Sequence, residues 1–392
     1  MADMRGLDLD AVRSTLGEMA VDGWLLFDFH GVNPVTPRVL GLEGMATRRL
    51  FVLIPREGEP VAVVHKIELQ PMEGFLGRIV PYARWQELEA ALGPLVSGRT
   101  LAMEVFPDDA VPYLDRVPAG VVELLTRLGA TVVPSAPLVT RFAATWSSGE
   151  TEDHVFAAEV IADVARRALA EAVADPGSGV GEVEVQSRVV AAMEAGGLEL
   201  NELPIVAFGA NAANPHYQPR AGSDARLCPG DVVLLDLWGG RTRDTVFADQ
   251  TWMAFAGDSP PERVEEVWHI VRSARDAAIE VIGEGIAAGR PVAGFEGDRA
   301  ARGVIEAAGY GEYFVHRTGH SIDRELHGSG PHLDDYETHD ERQLMPGVGF
   351  SIEPGIYLPG EFGVRSEINM YWGPEGSVVT PESPQQRLIL SN

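Results

Sequence analysis

The sequence predicts two domains, a small α/β domain over residues 1–145 and a larger domain of long helices and strand groups over residues 146–392. Three observations predict this. The 392 residues exceed the usual span of one core, and a hydrophobic content of 45% suffices to fill two. Helical and strand signals alternate at short intervals up to about residue 145, the pattern of an α/β layer. The stretch Pro134–Glu150 (PSAPLVTRFAATWSSGE) carries Pro, Ser and Gly punctuation and no long strand, which places the boundary there.

The first domain is expected to open with a helix near Asp10–Met19, followed by strands at Trp24–Asp28, Arg49–Ile54 and Val61–Val64. A strand at Thr100–Val105 and a helix around Pro118–Leu128 complete it. In the second domain Phe156, Val160 and Val164 share one face of a long helix, and another helix covers about Glu182 to Ala195. Strands are expected near Pro204–Phe208, Asp231–Trp238 and Phe247–Ala254. A long helix with Val264, Val267, Val271, Ala274 and Ala278 on one stripe follows, then a helix over Pro291–Ala308, then strands at Gly349–Glu353 and Gly363–Tyr371. Helices followed by strands thus occur twice, although sequence identity between the halves does not support a duplication. No segment is of low complexity.

Composition excludes several functions. A formal charge of −27 argues against nucleic acid or an anionic membrane as partner, because both are bound through clustered Lys and Arg. Cys228 is the only cysteine, so no intramolecular disulfide forms, and the N-terminus MADMRGLDLDAV lacks the basic and apolar regions of a signal peptide. No run reaches the ~18 apolar residues of a membrane span. A soluble cytoplasmic protein is expected. Lys66 is the only lysine and stands outside any motif, which disfavours Schiff-base chemistry. Neither a GxSxG elbow, a P-loop nor a GxGxxG fingerprint opens a helix.

Two stretches each bring carboxylates together. Asp236 and Asp249 flank the loop Gly239–Asp244, and Glu353 and Glu367 flank a turn around Pro359–Gly360. Folded as hairpins centred between residues 242 and 243 and on Gly360, each pair lies directly opposite on one face. Such neighbours have Cβ atoms ~4.5–5.5 Å apart, so two ionised acids would repel and one would keep its proton unless a divalent cation removed the penalty. Five of the ten histidines fall between His316 and His339, and His316, His320 and His327 follow spacings of four and seven. Gly319 speaks for a strand-like or irregular backbone there. His216 ends the turn-rich segment Asn211-Ala-Ala-Asn-Pro-His216. Four carboxylates and an imidazole form an oxygen-rich set that suits two Mn²⁺ or similar ions better than tetrahedral structural zinc. Such a pair of ions activates water and polarises a carbonyl, which is the chemistry of amide or ester hydrolysis.

These residues resemble a known family. His216 in NPH, Asp236, Asp249, His320 in TGHS, His327, Glu353 in IEPGIY and Glu367 in VRSE are similar to the motifs of the pita-bread metallopeptidases: prolidase, aminopeptidase P, methionine aminopeptidase and the non-metal relative creatinase. The resemblance covers residues from about 148 to 392. The domain before it looks like the N-terminal domain of prolidases and aminopeptidases P, which methionine aminopeptidases generally lack. The fold it implies is a creatinase/prolidase-like α/β domain followed by an α+β pita-bread catalytic domain of the creatinase/aminopeptidase type.

The resemblance also implies roles. Asp236 would bind one ion, His320 and Glu353 the other, and Asp249 and Glu367 would bridge them. The ions would be two Mn²⁺, with Co²⁺ or Zn²⁺ as alternatives. His216 would shuttle a proton near the leaving group, His327 would contact the substrate carbonyl, His316 would line the pocket, Arg365 would orient the bridging Glu367, and Tyr357 would form a pocket wall. The chain departs from the pattern in the longer loop before Thr245-Val-Phe-Ala-Asp249, which leaves Asp244 as a rival to Asp249 although Asp249-Gln-Thr251 keeps the Asp-x-Thr motif. Gly328 follows His327 where the family has Glu, and His332 and His339 have no counterpart. A prolidase holds the free carboxylate of an Xaa-Pro dipeptide with an arginine before the Glu-Pro-Gly motif, for which Arg342, near His339, is the candidate. An Xaa-Pro dipeptidase is therefore expected, with an Xaa-Pro aminopeptidase acting on longer peptides as the alternative. A creatinase-like hydrolase or a non-catalytic peptide-binding protein would have lost carboxylates that are intact here. The resemblance further implies a homodimer in which one subunit's N-terminal domain helps close the other's active site.

Overall fold

The apolar run Gly23–Asp28 becomes a strand (β1) buried along its whole length, and its alternate residues feed two different cores. Trp24 and Leu26 pack on one side, Leu25 and Phe27 on the other, as do Val52 and Ile54 against Phe51 and Leu53 in the neighbouring strand. A run without polar alternation is the mark of a strand covered on both faces. This is a computed structural model, and it describes residues 6–42 and 47–391. Met1–Arg5, on which part of the signal-peptide reading rested, lie outside the described residues. The chain divides into two units, Met1–Ala144 and Thr145–Asn392.

In the first unit a helix over Leu9–Glu18 (α1) is capped by Asp8, whose carboxylate accepts from the backbone N–H of Asp10 and Ala11. After β1 come a short helix Val35–Leu40 (α2), strands Leu50–Pro55 (β2), Val61–His65 (β3) and Arg78–Tyr82 (β4), and a helix Trp85–Val96 (α3). Strand Thr100–Met103 (β5), helix Ala119–Arg127 (α4), strand Thr131–Pro134 (β6) and helix Ala136–Phe142 (α5) follow. The six strands form one sheet in the order β4-β3-β2-β1-β5-β6. The expected elements are present within a few residues. The additions are α2, α3, β4 and β6, together with α5, which occupies the stretch read as punctuation.

In the second unit a helix over Ser148–Val173 (α6) starts at a capping box made by Ser147 and Glu150. It is followed by Glu182–Ala195 (α7), strands Ile205–Phe208 (β7), Val232–Gly239 (β8) and Ala248–Phe255 (β9), and helices Glu262–Ala287 (α8) and Gly294–Ala307 (α9). Strands Ser321–Ile322 (β10), Gly349–Ile352 (β11), Gly355–Leu358 (β12), Phe362–Arg365 (β13), Ile368–Gly373 (β14), Gly376–Thr380 (β15) and Ile389–Leu390 (β16) complete the unit. One sheet has the order β16-β9-β8-β7, a second β10-β11-β14-β15, and β12 pairs with β13 as a hairpin.

The period of two along these strands positions the site. In β8, Val233, Leu235 and Leu237 pack against α6 and α7, while Val232, Leu234 and Trp238 belong to the core shared with α8, α9 and the second sheet. Asp236 is on that second face, and so are Asp249 and Thr251 of β9, in step with Met253 and Phe255. In β11 and β14 the apolar Phe350, Ile352, Ile368 and Met370 enter the same core. Ser351 and Asn369 therefore point the other way. Among the described residues no helix is long and apolar enough to cross a membrane.

Candidate metal centre

Strands β8 and β9 pair Asp236 with Thr251 and Trp238 with Asp249. The two aspartates are thus not directly opposite, which corrects the expected register by two residues. The loop supplies its own anchors. Thr245 Oγ1 donates to Asp153 at 2.8 Å, Arg241 pairs with the same carboxylate at 3.3 Å, and Phe247 is buried beside Trp146. A slip of two residues leaves every side chain on its face, so Asp236 and Asp249 remain diagonal neighbours on one side. In the second stretch Ile352 lies opposite Ile368 and Gly355 opposite Arg365. That register centres on Gly360, whose φ of 77° suits glycine, and it brings Glu353 and Glu367 to matching positions.

The two stretches meet. Asp249, His320 and Glu367 each offer a ligand atom within 4.8 Å of the others, and all three are buried. His320 Nε2 is 3.5 Å from Asp249 Oδ2 and 3.4 Å from Glu353 Oε1. Its backbone comes close to β11 because residue 319 is glycine, where a Cβ would stand 2.0 Å from the Ser351 carbonyl oxygen. Asp236 is reached through Arg365, a buried guanidinium that pairs with it, donates from Nε to Thr251 Oγ1 at 2.7 Å, and lies 3.9 Å from Glu367 Oε2.

Crowding of four acids in a buried site sets their protonation. Burial, opposed by Arg365 and reinforced by Asp249 and Glu353, raises Asp236 to about 7. Burial likewise raises Asp249, against His320, and drives Glu367 well above the carboxylate range together with the charges of Asp249, Glu353 and Asp236. Glu353 also meets the burial penalty, but His320, Arg365, His316 and Arg317 outweigh it and hold the group at about 2. Burial therefore favours the protonated form of Asp236, Asp249 and Glu367 when no cation is present, while Glu353 is held ionised.

The residues fit a metal on three counts. Oxygens Asp249 Oδ1 and Glu367 Oε1 are buried and have no hydrogen-bond partner among the described residues. His320 Nδ1 lies 3.1 Å from the Ser321 carbonyl, which only accepts, so Nδ1 carries a proton there and Nε2 is the ring nitrogen that faces the two carboxylates. The donors, four carboxylates and one imidazole, are those of a hard or borderline divalent ion.

The remaining expected residues fall into two groups. His316 lies at the site with its tautomer set: Nδ1 donates to the Arg317 carbonyl at 2.7 Å and Nε2 accepts from the Tyr357 hydroxyl at 2.8 Å. Burial lowers it to about 4, so it is neutral. His327 lies beside His320, with ring centroids 4.3 Å apart and planes tilted by 60°, and the His320 charge, with burial second, lowers it to about 3. His216 is exposed on the loop after β7. Asp244 is exposed too, which places the rival aspartate in solvent while Asp249 stands beside His320. Arg342 pairs through Nε and Nη2 with buried Asp340 and donates to the Ser329 carbonyl at 2.7 Å. Asp340 and the Ser329 carbonyl thus engage the guanidinium expected to anchor a substrate carboxylate. His339 is half-exposed, bonded to Asp335 and stacked on Phe295. His332 is buried, accepting from the Ser321 N–H and donating its own backbone N–H to Asp340.

Three residues of the centre received no role from the sequence. Thr251 donates to Glu367 Oε2 at 2.7 Å while accepting from Arg365, Ser351 donates to Glu353 Oε1 at 3.0 Å and accepts from the His320 N–H, and Asn369 accepts from the Asp249 N–H. Each stands two residues from a carboxylate, the distance that keeps side chains on one face of a strand. That spacing was the available signal.

Residues 155–372 match the sequence pattern of metallopeptidase family M24. The probable dipeptidase PepE of Mycobacterium tuberculosis is 29% identical over 358 residues, spanning 90% of this chain and 88% of its own length. The Xaa-Pro dipeptidase of Pyrococcus furiosus is 34% identical over 219 residues, 56% of this chain and 58% of its own. Among solved structures, dipeptidase PepE from Mycobacterium ulcerans superposes with a TM-score of 0.75 at 25% identity, covering 98% of this chain and 97% of its own.

Proposed function

The chain belongs to metallopeptidase family M24 and has its pita-bread fold, and on that premise we propose that it is a two-metal exopeptidase that hydrolyses Xaa-Pro bonds, as an Xaa-Pro dipeptidase. The observation that carries this is the convergence of buried Asp249, Glu367 and His320, with Glu353 3.4 Å from His320 and Arg365 joining buried Asp236, while oxygens of Asp249 and Glu367 have no partner among the described residues. Asp236 would hold one ion and His320 with Glu353 the other, Asp249 and Glu367 being shared. Two Mn²⁺ ions suit this set, and when bound they supply Lewis acidity toward the scissile carbonyl and lower the pKa of water.

The protein's own groups do the rest. Arg365, held by Asp236 and Thr251, keeps the acids in place and offsets part of their charge. Neutral His327 is suited to donate a hydrogen bond to the substrate carbonyl as negative charge develops on its oxygen. His216, exposed on a loop, would carry a proton to the departing proline nitrogen. His316, donating from Nδ1 and accepting at Nε2, is a wall that fixes Tyr357. The names of the relatives support a dipeptide substrate. One observation favours the second reading, an Xaa-Pro aminopeptidase: Asp340 neutralises Arg342, the arginine that would anchor a free carboxylate. Turnover of Ala-Pro beside Ala-Pro-Ala with Mn²⁺ present decides. Hydrolysis of the dipeptide alone supports the proposal, hydrolysis of the tripeptide alone supports the aminopeptidase, and no Mn²⁺-dependent hydrolysis of either overturns both.

A further inference from the structure

Glu182 opens α7 and is fully buried, yet nothing in the reaction uses it. Its carboxylate accepts four hydrogen bonds from neutral donors. Oε1 receives the Phe208 N–H at 2.8 Å and Asn211 Nδ2 at 2.9 Å, and Oε2 receives the Tyr217 hydroxyl at 2.7 Å and the Ala225 N–H at 2.8 Å. A buried carboxylate is costly unless its lone pairs are used, and here both oxygens are filled twice. The helix N-terminus on which it stands favours its negative charge as well.

The donors are spread along one segment, residues 208–225, that leaves β7 and carries His216 next to Tyr217. A second contact fixes the same segment. Gly363 of β13 meets it so closely that a Cβ there would lie 2.0 Å from the Ala212 carbonyl oxygen. Gly363 shares its strand face with Arg365, two residues on, so the segment packs on the side of β13 that looks into the metal centre.

We propose that Glu182 is a positioning residue for the active site: its carboxylate staples the 208–225 loop and thereby sets where His216 stands. This rests on the reading of His216 as the proton carrier. Glutamine at 182 would keep the shape but turn an NH₂ group toward two donors, so one side of the staple would be lost.

In Mn²⁺-loaded protein turning over Ala-Pro, Glu182→Gln is expected to lower kcat about tenfold with KM within about twofold, and His216→Ala to lower kcat roughly a hundredfold, the scale of a lost proton-transfer group. If Glu182 acts through His216, the double variant is no slower than His216→Ala alone, whereas losses that multiply overturn the proposal. Tyr217→Phe removes one of the four bonds and should give a smaller loss that likewise vanishes in the His216→Ala background. Trypsin reads the loop without reference to turnover, because exposed Arg220 lies within it. Glu182→Gln should be nicked after Arg220 severalfold faster than the parent, and equal rates overturn the staple. Were His216→Ala as active as the parent, the proton role of His216 would fall, and the staple would be decided by the trypsin rates alone.

Discussion

Asp236→Asn isolates the electrostatic cost that a metal is expected to remove. In the metal-free fold burial raises this carboxyl from 3.8 to about 7 despite Arg365. A group whose folded pKa lies above its unfolded value favours the fold while protonated, so its contribution is present below 3.8 and is lost as the pH climbs to about 7. From about pH 5 to 7 the loss is two units, or roughly 2.7 kcal/mol at about 1.36 kcal/mol per unit. Asparagine cannot ionise and escapes that loss. Urea denaturation in EDTA at about pH 5 and about pH 8 should therefore show the variant gaining about 2.7 kcal/mol on the parent between the two, the histidine titrations cancelling in the difference. Adding Mn²⁺ at the higher pH should restore the parent far more than the variant, because binding to the folded state alone stabilises it. A difference between parent and variant that is the same at both pH values would refute the reasoning.

Other expected outcomes follow from the same geometry. Asp249→Ala should abolish Mn²⁺-dependent hydrolysis while Asp244→Ala, changed in solvent, keeps it; the reverse result in a peptidase assay would reassign the shared ligand. Thr251→Val removes the hydroxyl that joins Arg365 to Glu367 and should weaken Mn²⁺ binding about 10- to 100-fold by calorimetry, whereas unchanged affinity would make that hydroxyl a bystander. Burial lowers His154, bonded to the Phe247 carbonyl and Thr380, from 6.5 to about 4, so its contribution is present above pH 6.5 and lost as the pH falls toward 4. That loss is roughly 3 kcal/mol, and a stability difference between the parent and His154→Gln that does not change over this range would exclude it.

The strands and helices were legible where local chemistry decides them. The buried runs of β1, β2, β8 and β9 and the stripe on α8 are visible as patterns, and Ser147 with Glu150 marks the start of α6. Short elements such as α2, β4 and α5 were not, because five to seven residues give too little periodicity to outweigh a proline within or beside them. Of the centre, the acids and His320 were legible as residue types at fixed spacings, and Thr251, Ser351 and Asn369 could have been found from their offset of two.

By itself the sequence determined which groups the proposed chemistry would use and on which strand face each would stand, since both follow from residue type and a period of two. Tertiary structure decided what those groups meet. The β8–β9 register depends on anchors for its loop in α6, and the reach of Arg365 to Asp236 joins residues far apart in the chain. These outcomes depend on packing between distant segments, where the low polarity of a buried site makes each charge answer to its nearest partners instead of to water.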